Sequence, residues 1–380
     1  MDFELSELQQ MIVDSAQRLI TAETGLEQWR ARRELPDGVN AQFWAKMAEL
    51  GWMALAVPED AGGLGSPMED VALLMIELGK GLVTEPLIST GILAAHIFDS
   101  GLEGDGRETW LAQIAAGEAQ IALAYEEPQS VNAAGTKARR DGAGFVLEGQ
   151  KIMAFDAPSA DHLLVTADFD GKPAIFMVPS ECAGMSMKAY ALIDGSRAAD
   201  LTFSAVALPA DAMIASGERA EMILGEALDR ARVATIAQAV GVMEVALLTV
   251  ADYAKERQQF GQPIGKFQAI QHLASDMFVS AYQARSSLYA ALRDIEGSAT
   301  VRARAVSVAK VVSGMAGQTV SRNGIQIHGG YGVTDEYAIS HYYRRLLVLE
   351  KQYGGIDAHA ALLADVERQG DPTHRTAETV

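Results

Sequence analysis

ERQQFGQPIGKFQAIQHLASDM, residues 256–277, ends one long helical pattern and begins another. Apolar spacing predicts helices over Val233–Ala254 and Phe267–Arg293, each long enough to cross a domain, with Arg257 to Lys266 between them. A guanidinium at such a junction suits a diphosphate, because it is planar, offers paired donors and stays charged. Phe260, three residues on, could cover a flat heterocycle. A second segment, Gly324-Ile325-Gln326-Ile327-His328-Gly329-Gly330-Tyr331-Gly332, follows a third helical stretch, Val301–Val320. Its closely spaced glycines let a ligand approach backbone N–H groups without interference from Cβ atoms. On residue chemistry alone, each segment is equally well a helix-connecting turn that binds nothing.

Outward from these segments the chain changes texture twice. From about Glu118 to Ile214 the apolar runs are short (IALAY, GFVLEG, HLLVTA, AIFMVP, LTFSAVALP) and punctuated by Gly and Asp, as in antiparallel strands joined by turns. Before them the pattern is helical again. Ser6 and Gln9 have the form of a capping box, Phe43, Trp44, Met47 and Leu50 mark an amphipathic helix that Gly51 stops, and Met68–Leu82 reads as another. Gly62-Gly63-Leu64-Gly65 lacks the preceding strand of a dinucleotide fold and reads as a loop between helices. The order helices, strands, helices predicts an α+β protein in separate layers. Its expected parts are an N-terminal helical domain over 1–117, a middle β domain over 118–215, a C-terminal helical bundle over 216–367 and a polar tail over 368–380.

Composition narrows the function. A formal net charge of −19 argues against sequence-independent nucleic-acid binding, although one local Arg can still hold a phosphorylated cofactor. The single cysteine, Cys182, forms no internal disulfide, which fits a reducing, cytoplasmic setting. The acidic, amphipathic N-terminus is unlike a signal peptide, and no uninterrupted apolar run of membrane-spanning length predicts a span. G-x-S-x-G, H-E-x-x-H and Walker patterns are absent, and the seven histidines offer no metal-ligand pairing. No metal site is expected. His328 reads as a packed or backbone-bonded side chain rather than a catalyst.

The 256–277 segment together with QIHGGYG (326–332) and LGWMALAVPEDAGGLG (50–65), in this order, resembles the acyl-CoA dehydrogenase family over nearly the whole chain. The resemblance implies that fold, with a β-barrel-like middle domain, a C-terminal four-helix bundle, and FAD shared between subunits of a tetramer. By position, Arg257 resembles the residue that holds the FAD pyrophosphate of an adjacent subunit, with Gln259 and Phe260 beside it. Ile264, Phe267 and Ile270 would line the adenosine side, and Gln326, Gly329 and Gly330 would form a second approach to the same diphosphate.

Two departures accompany these matches. The family's catalytic glutamate precedes a glycine; here Tyr353 stands there, followed by Gly354. A phenol of pKa about 10 is a poor base at neutral pH. The alternative base position, in Leu228-Asp229-Arg230-Ala231-Arg232, carries Ala231. The flavin-facing T-E-P-G-A-G-S-D and W-I-T sequences of the family read Glu126-Glu127-Pro128-Gln129-Ser130-Val131-Asn132 and Met153-Ala154-Phe155 here.

This split is similar to the α2β2 acyl-CoA dehydrogenases of steroid or bile-acid side chains. MDFELSELQQ and HYYRRLLVLEKQYG also resemble small subunits of pimeloyl-CoA dehydrogenases. The resemblance therefore implies an acyl-CoA thioester substrate, bulky or dicarboxylic, a paralogous partner carrying the glutamate, and an electron-transfer flavoprotein as acceptor. Two alternatives stay open: a self-sufficient homotetramer with a displaced base (Glu350, Glu126 or Tyr353), and a non-catalytic structural subunit.

Overall fold

The structure, a computed structural model, describes residues 5–128 and 135–370. Six α-helices come first: α1 (Glu7–Glu23), α2 (Leu26–Arg33), α3 (Ala41–Glu49), α4 (Met68–Lys80), α5 (Ala95–Gly101) and α6 (Gly104–Ala115). A π-helix, Ile88–Ala94, leads into α5. Eight strands follow: β1 (Ile121–Ala124), β2 (Lys137–Asp141), β3 (Gly144–Phe155), β4 (His162–Phe169), β5 (Lys172–Pro179), β6 (Met185–Ala191), β7 (Arg197–Leu208) and β8 (Met213–Ser216). The chain then returns to helices: α7 (Glu218–Glu256), α8 (Gln268–Asp294), α9 (Ala299–His328), α10 (Ala338–Lys351) and α11 (Ile356–Gly370). The expected block order is present. α7 and α9 run longer than the apolar spacing alone indicated, α8 matches it within a residue at each end, α4 stops two residues earlier, and α2, α5, α6, β2, β6 and β8 lacked a legible pattern.

The chain gathers into two compact units, each drawn from several segments. One comprises Glu27–Pro67 and Thr84–Ala231. Its sheet runs β6-β7-β3-β2-β4-β5-β8, with β1 also paired to β4. The strands were expected to be antiparallel throughout, but β1 and β2 both pair parallel to β4, one after the other along the same edge. Leu147, Leu163, Val165, Phe176, Val178 and Val206 are wholly buried at the centre of this sheet's core. Each such side chain contributes roughly 1.5–3 kcal/mol by leaving water. Arg197 ties the turn after α2 to β7: its guanidinium donates to the carbonyls of Arg33, Leu35 and Gly195, each at 2.6 Å.

The other unit comprises Met1–Leu26, Met68–Val83 and Arg232–Val380. The Ser6–Gln9 capping box starts α1 as read. The C-terminal bundle is held by polar bonds between its helices as well as by apolar packing. Arg285 of α8 pairs with Glu244 of α7 at 2.8 Å, and Arg345 of α10 donates to Gln238 of α7 at 2.6 Å. Gln238 in turn donates to Val83 O at 2.7 Å, just beyond α4. α9 packs against α8, α10 and α11.

By length and composition α7 could cross a bilayer, but 72% of its most apolar stretch is buried within the protein, as in a core helix. Its Gly241 meets α4 so closely that a Cβ there would lie 1.8 Å from Ile76 O. Gly241→Val should therefore lower unfolding free energy by about 2–3 kcal/mol, the cost of forcing two packed helices apart. Denaturant midpoints at equal slope check this; an unchanged midpoint would show that the helices can separate freely.

Candidate functional site

α7 ends at Glu256, and Arg257 begins a short hairpin in which Gln259 pairs with Gln262 and Gln258 with Pro263. Two residues at positive φ, Phe260 (52°) and Gly261 (79°), make its tip, as a two-residue hairpin turn requires. For an aromatic residue that conformation is unfavourable, yet Phe260 is 92% exposed, with its ring edge-on to Phe267 at 6.1 Å. Ile264 N–H donates to Arg257 O at 2.8 Å and closes the hairpin onto the start of α8.

Across from the hairpin lies the end of α9. The Gly324–Gly332 segment is not a loop throughout: α9 runs through it to His328, and a tight 3-10 turn covers Gly329–Val333. Its glycines divide by role. Gly324 and Gly332 are packing glycines, where a Cβ would meet Ile339 and Ile325 O at 2.8 Å. Gly329, at φ +61°, and Gly330 have nothing within 4 Å of a would-be Cβ, so their backbone is open to approach.

Between hairpin and turn is an open groove of about 490 Å³ lined by Arg257, Gln259, Ile264, His328, Gly329 and Gly330, among others. Of the residues singled out by sequence, Phe260, Phe267, Ile270 and Gln326 are not in this lining. Gln326 is an exposed residue of the last turn of α9. Among the described residues no carboxylate pairs with Arg257; its guanidinium lies 5.6 Å from the Tyr331 ring. The helix end contributes carbonyls, the negative pole of the helix dipole, so the groove's attraction for anions comes from Arg257.

Sequence reading overlooked Tyr253 and gave Tyr331, inside the glycine segment, no role of its own. Tyr253 stands four residues before Arg257, one turn back on the same helix face, which was the available signal. It stacks on His328 at 4.2 Å and is edge-on to Tyr337 at 6.0 Å. His328 Nδ1 donates to Gly324 O at 2.9 Å, and burial lowers the pKa of the ring. His328 is therefore a neutral wall of the groove, not a second cation.

The two expected base positions hold no carboxylate. Tyr353 is 3% exposed with φ +58°, and Ala231 is wholly buried. Glu350, near Tyr353, is buried and engaged: it accepts from Ile356 N–H at 2.8 Å and pairs with Lys351 at 3.0 Å. Lys310 beside it is capped by three carbonyls, while burial and the charge of Arg232 pull its pKa down to about 7.

In the sheet unit, Met153 (φ +49°) sits where the β3–β7 register slips between Lys151 and Ala154. A bulge of this kind re-aims side chains. Met153 is thrown into solvent, and Phe155 is buried. Next to it Asp156, at φ +61°, accepts a hydrogen bond from Ser89 Oγ. Glu127 accepts from Thr136 N–H and Lys151 Nζ at 2.9 and 2.8 Å. Gln129, Ser130, Val131 and Asn132 lie outside the described residues.

The hairpin and glycine turn fall within residues 222–366, which match the family model for the acyl-CoA dehydrogenase C-terminal domain; residues 6–118 match the N-terminal domain. The chain belongs to the acyl-CoA dehydrogenase family. This is a family of FAD flavoproteins. A probable acyl-CoA dehydrogenase of Bacillus subtilis, YngJ, is 31% identical over 96% of this chain and 99% of its own length. Among solved structures, a variant of the Tcur3481–Tcur3483 steroid acyl-CoA dehydrogenase superposes with a TM-score of 0.86 at 29% identity, covering 96% of this chain and 98% of that one. The ChsE4–ChsE5 complex of Mycobacterium tuberculosis shares the fold at a TM-score of 0.89 and 24% identity, covering 98% and 99%.

The donor set suits the family's cofactor. An acyl-CoA dehydrogenase must neutralise the FAD diphosphate, and here a permanently charged fork without a carboxylate partner faces backbone that a phosphate can approach closely.

Proposed function

We propose that this chain is the FAD-supporting subunit of a heteromeric acyl-CoA dehydrogenase, working with a paralogous partner that carries the catalytic glutamate. The observation that carries the reading is the pairing of an open, unneutralised Arg257 groove with a buried Tyr353 and a buried Ala231 in one chain. The two-component names of the steroid dehydrogenase and of the ChsE4–ChsE5 complex support it.

In the assembly, Arg257 would pair with the diphosphate oxygens, while Gly329 and Gly330 admit the phosphates to backbone distance. Gln259 and Ile264 line the same groove, and Phe260, held out in solvent at the hairpin tip, would close against the neighbouring subunit. Large apolar side chains left exposed on the bundle, Leu248, Phe278, Tyr282 and Met315, give that neighbour a surface to pack on.

Bound FAD supplies the acceptor for the hydride leaving the acyl β-carbon. Removal of the α-proton needs a base of moderate pKa. The buried phenol at 353 does not provide one at neutral pH, so the partner's carboxylate would take this proton to give a trans-2-enoyl-CoA. The same reading assigns a bulky steroid side-chain or dicarboxylic acyl-CoA as substrate, an electron-transfer flavoprotein as acceptor, and a cytoplasmic setting. Glu350 is already engaged, which leaves a self-sufficient enzyme no unengaged carboxylate at that turn.

Dehydrogenation of acyl-CoA with an artificial electron acceptor tests this. The chain alone should turn over at roughly one-hundredth or less of the rate of the co-expressed pair, the deficit of a missing general base. Equal rates would contradict the division of labour.

A further inference from the structure

The carbonyls of the turn after α10 are taken by side chains from other helices. A helix ends with four carbonyls that have no intrahelical partner. Here two cations from two other helices of the same unit take the carbonyls around the turn. Lys310 Nζ, from α9, donates to Leu349 O at 3.1 Å, Glu350 O at 3.2 Å and Gln352 O at 2.8 Å. Arg232 Nε, from α7, donates to Tyr353 O at 2.9 Å. Both cations stand at the negative end of the α10 dipole, where positive charge is favoured.

The far side of the turn is fixed as well. The Glu350 carboxylate accepts from Ile356 N–H, the first residue of α11. His359 Nδ1 lies 3.0 Å from Ser307 Oγ, and its Nε2 would stand 2.9 Å from a Cβ at Gly354, which has φ +106°. Tyr353, at the apex, takes a left-handed conformation that an aromatic residue adopts only when its surroundings impose it.

We infer that Arg232 and Lys310 are positioning residues for position 353, fixing its backbone in the left-handed conformation whichever side chain the position carries. The significance of 353 rests on the proposed reading, in which the relatives' base stands there; the clamp itself uses only carbonyls, and none of its four bonds involves the phenol. The mount for a base is thus kept in a chain that has no carboxylate on it.

Residue-resolved amide exchange on the full chain tests this. Gly354 N–H, bonded to Lys351 O at 3.1 Å, and Ile356 N–H report on the turn. Gly81 and Val83 N–H, bonded to Glu77 and Leu78 carbonyls, report on the rest of the same unit. Arg232→Met and Lys310→Met should speed exchange at Gly354 and Ile356 by about tenfold or more, the equivalent of one lost hydrogen bond, and leave Gly81 and Val83 unchanged. Arg232→Lys, which keeps a cationic donor, should restore most of the protection. Tyr353→Phe and Tyr353→Glu should stay within about threefold of the parent at the turn.

Equal acceleration at all four amides would show that the cations merely stabilise the unit. Acceleration by Tyr353→Phe as large as by Arg232→Met would show that the phenolic hydroxyl holds the turn. Either result, or no response to Arg232→Met, overturns the inference. If Lys310→Met does not fold, the Arg232 pair still decides. Exchange needs neither flavin nor partner, so this inference fails or survives separately from the subunit reading.

Discussion

Arg257→Gln is expected to strip flavin from the assembled protein without unfolding it. The side chain is exposed and has no carboxylate partner among the described residues, so its loss leaves no buried group unsatisfied. Its opposite number in the assembly is a diphosphate, whose charge-assisted bonds with a guanidinium contribute roughly 1.5–3 kcal/mol each. Losing the fork should weaken FAD binding on the order of 100-fold, about 3 kcal/mol at 1.4 kcal/mol per decade. Arg257→Lys should recover part of this, since a lysine restores the charge but not the paired planar donors. Fluorescence titration of the stripped protein with FAD, alongside a thermal melt, separates the cases. Unchanged affinity at an unchanged melting temperature would remove Arg257 from the site.

The second large effect is an acid limb in stability, set by His359. Burial, reinforced by the charges of Arg232 and Lys310, holds its imidazole near pKa 3 against an ordinary value of 6.5. Its ring is buried, and the hydrogen bond to the Tyr353 backbone that favours the protonated form does not offset that burial. Between pH 6.5 and about 3 the unfolded chain binds a proton that the native chain refuses. This contribution is therefore whole above pH 6.5 and is lost as pH falls through that window, by roughly 4–5 kcal/mol at its lower end. His359→Leu keeps the side chain buried but cannot titrate. Its melting temperature should fall less steeply from pH 7 to pH 4 than the parent's, and parallel curves would show that His359 is not the group responsible.

Much of the architecture was legible because its signals are local. Ser6 and Gln9 announce the first helix, Gly51 takes the positive φ that ends α3, and the short apolar runs from Ile121 to Leu208, punctuated by Gly and Asp, read as strands. β6 was not legible because it is an edge strand with a largely exposed, mixed sequence, and β2 because KARRD carries hardly any apolar face. The parallel pairing of β1 and β2 with β4 is a long-range choice that no local pattern encodes.

The site divided in the same way. Arg257 and the Gly329–Gly330 pair could be read from residue chemistry and resemblance, and the structure brings them to one groove. That Gly324 serves packing, and that α9 continues to His328, depended on Ile339 and the neighbouring helices. The clamp at Arg232 and Lys310 was invisible for a related reason: a lysine in a helical run reads as a solvated charge until the fold buries it. Lys310 is 4% exposed.

The central claim is that this chain holds flavin for an assembly whose base lies elsewhere. The flavin-to-protein ratio, read from the visible spectrum of the chain purified alone and then with its co-expressed partner, tests it most directly. The account predicts little flavin on the chain alone and about one flavin per pair of chains in the complex. One flavin per chain in a fully active homo-oligomer would contradict it.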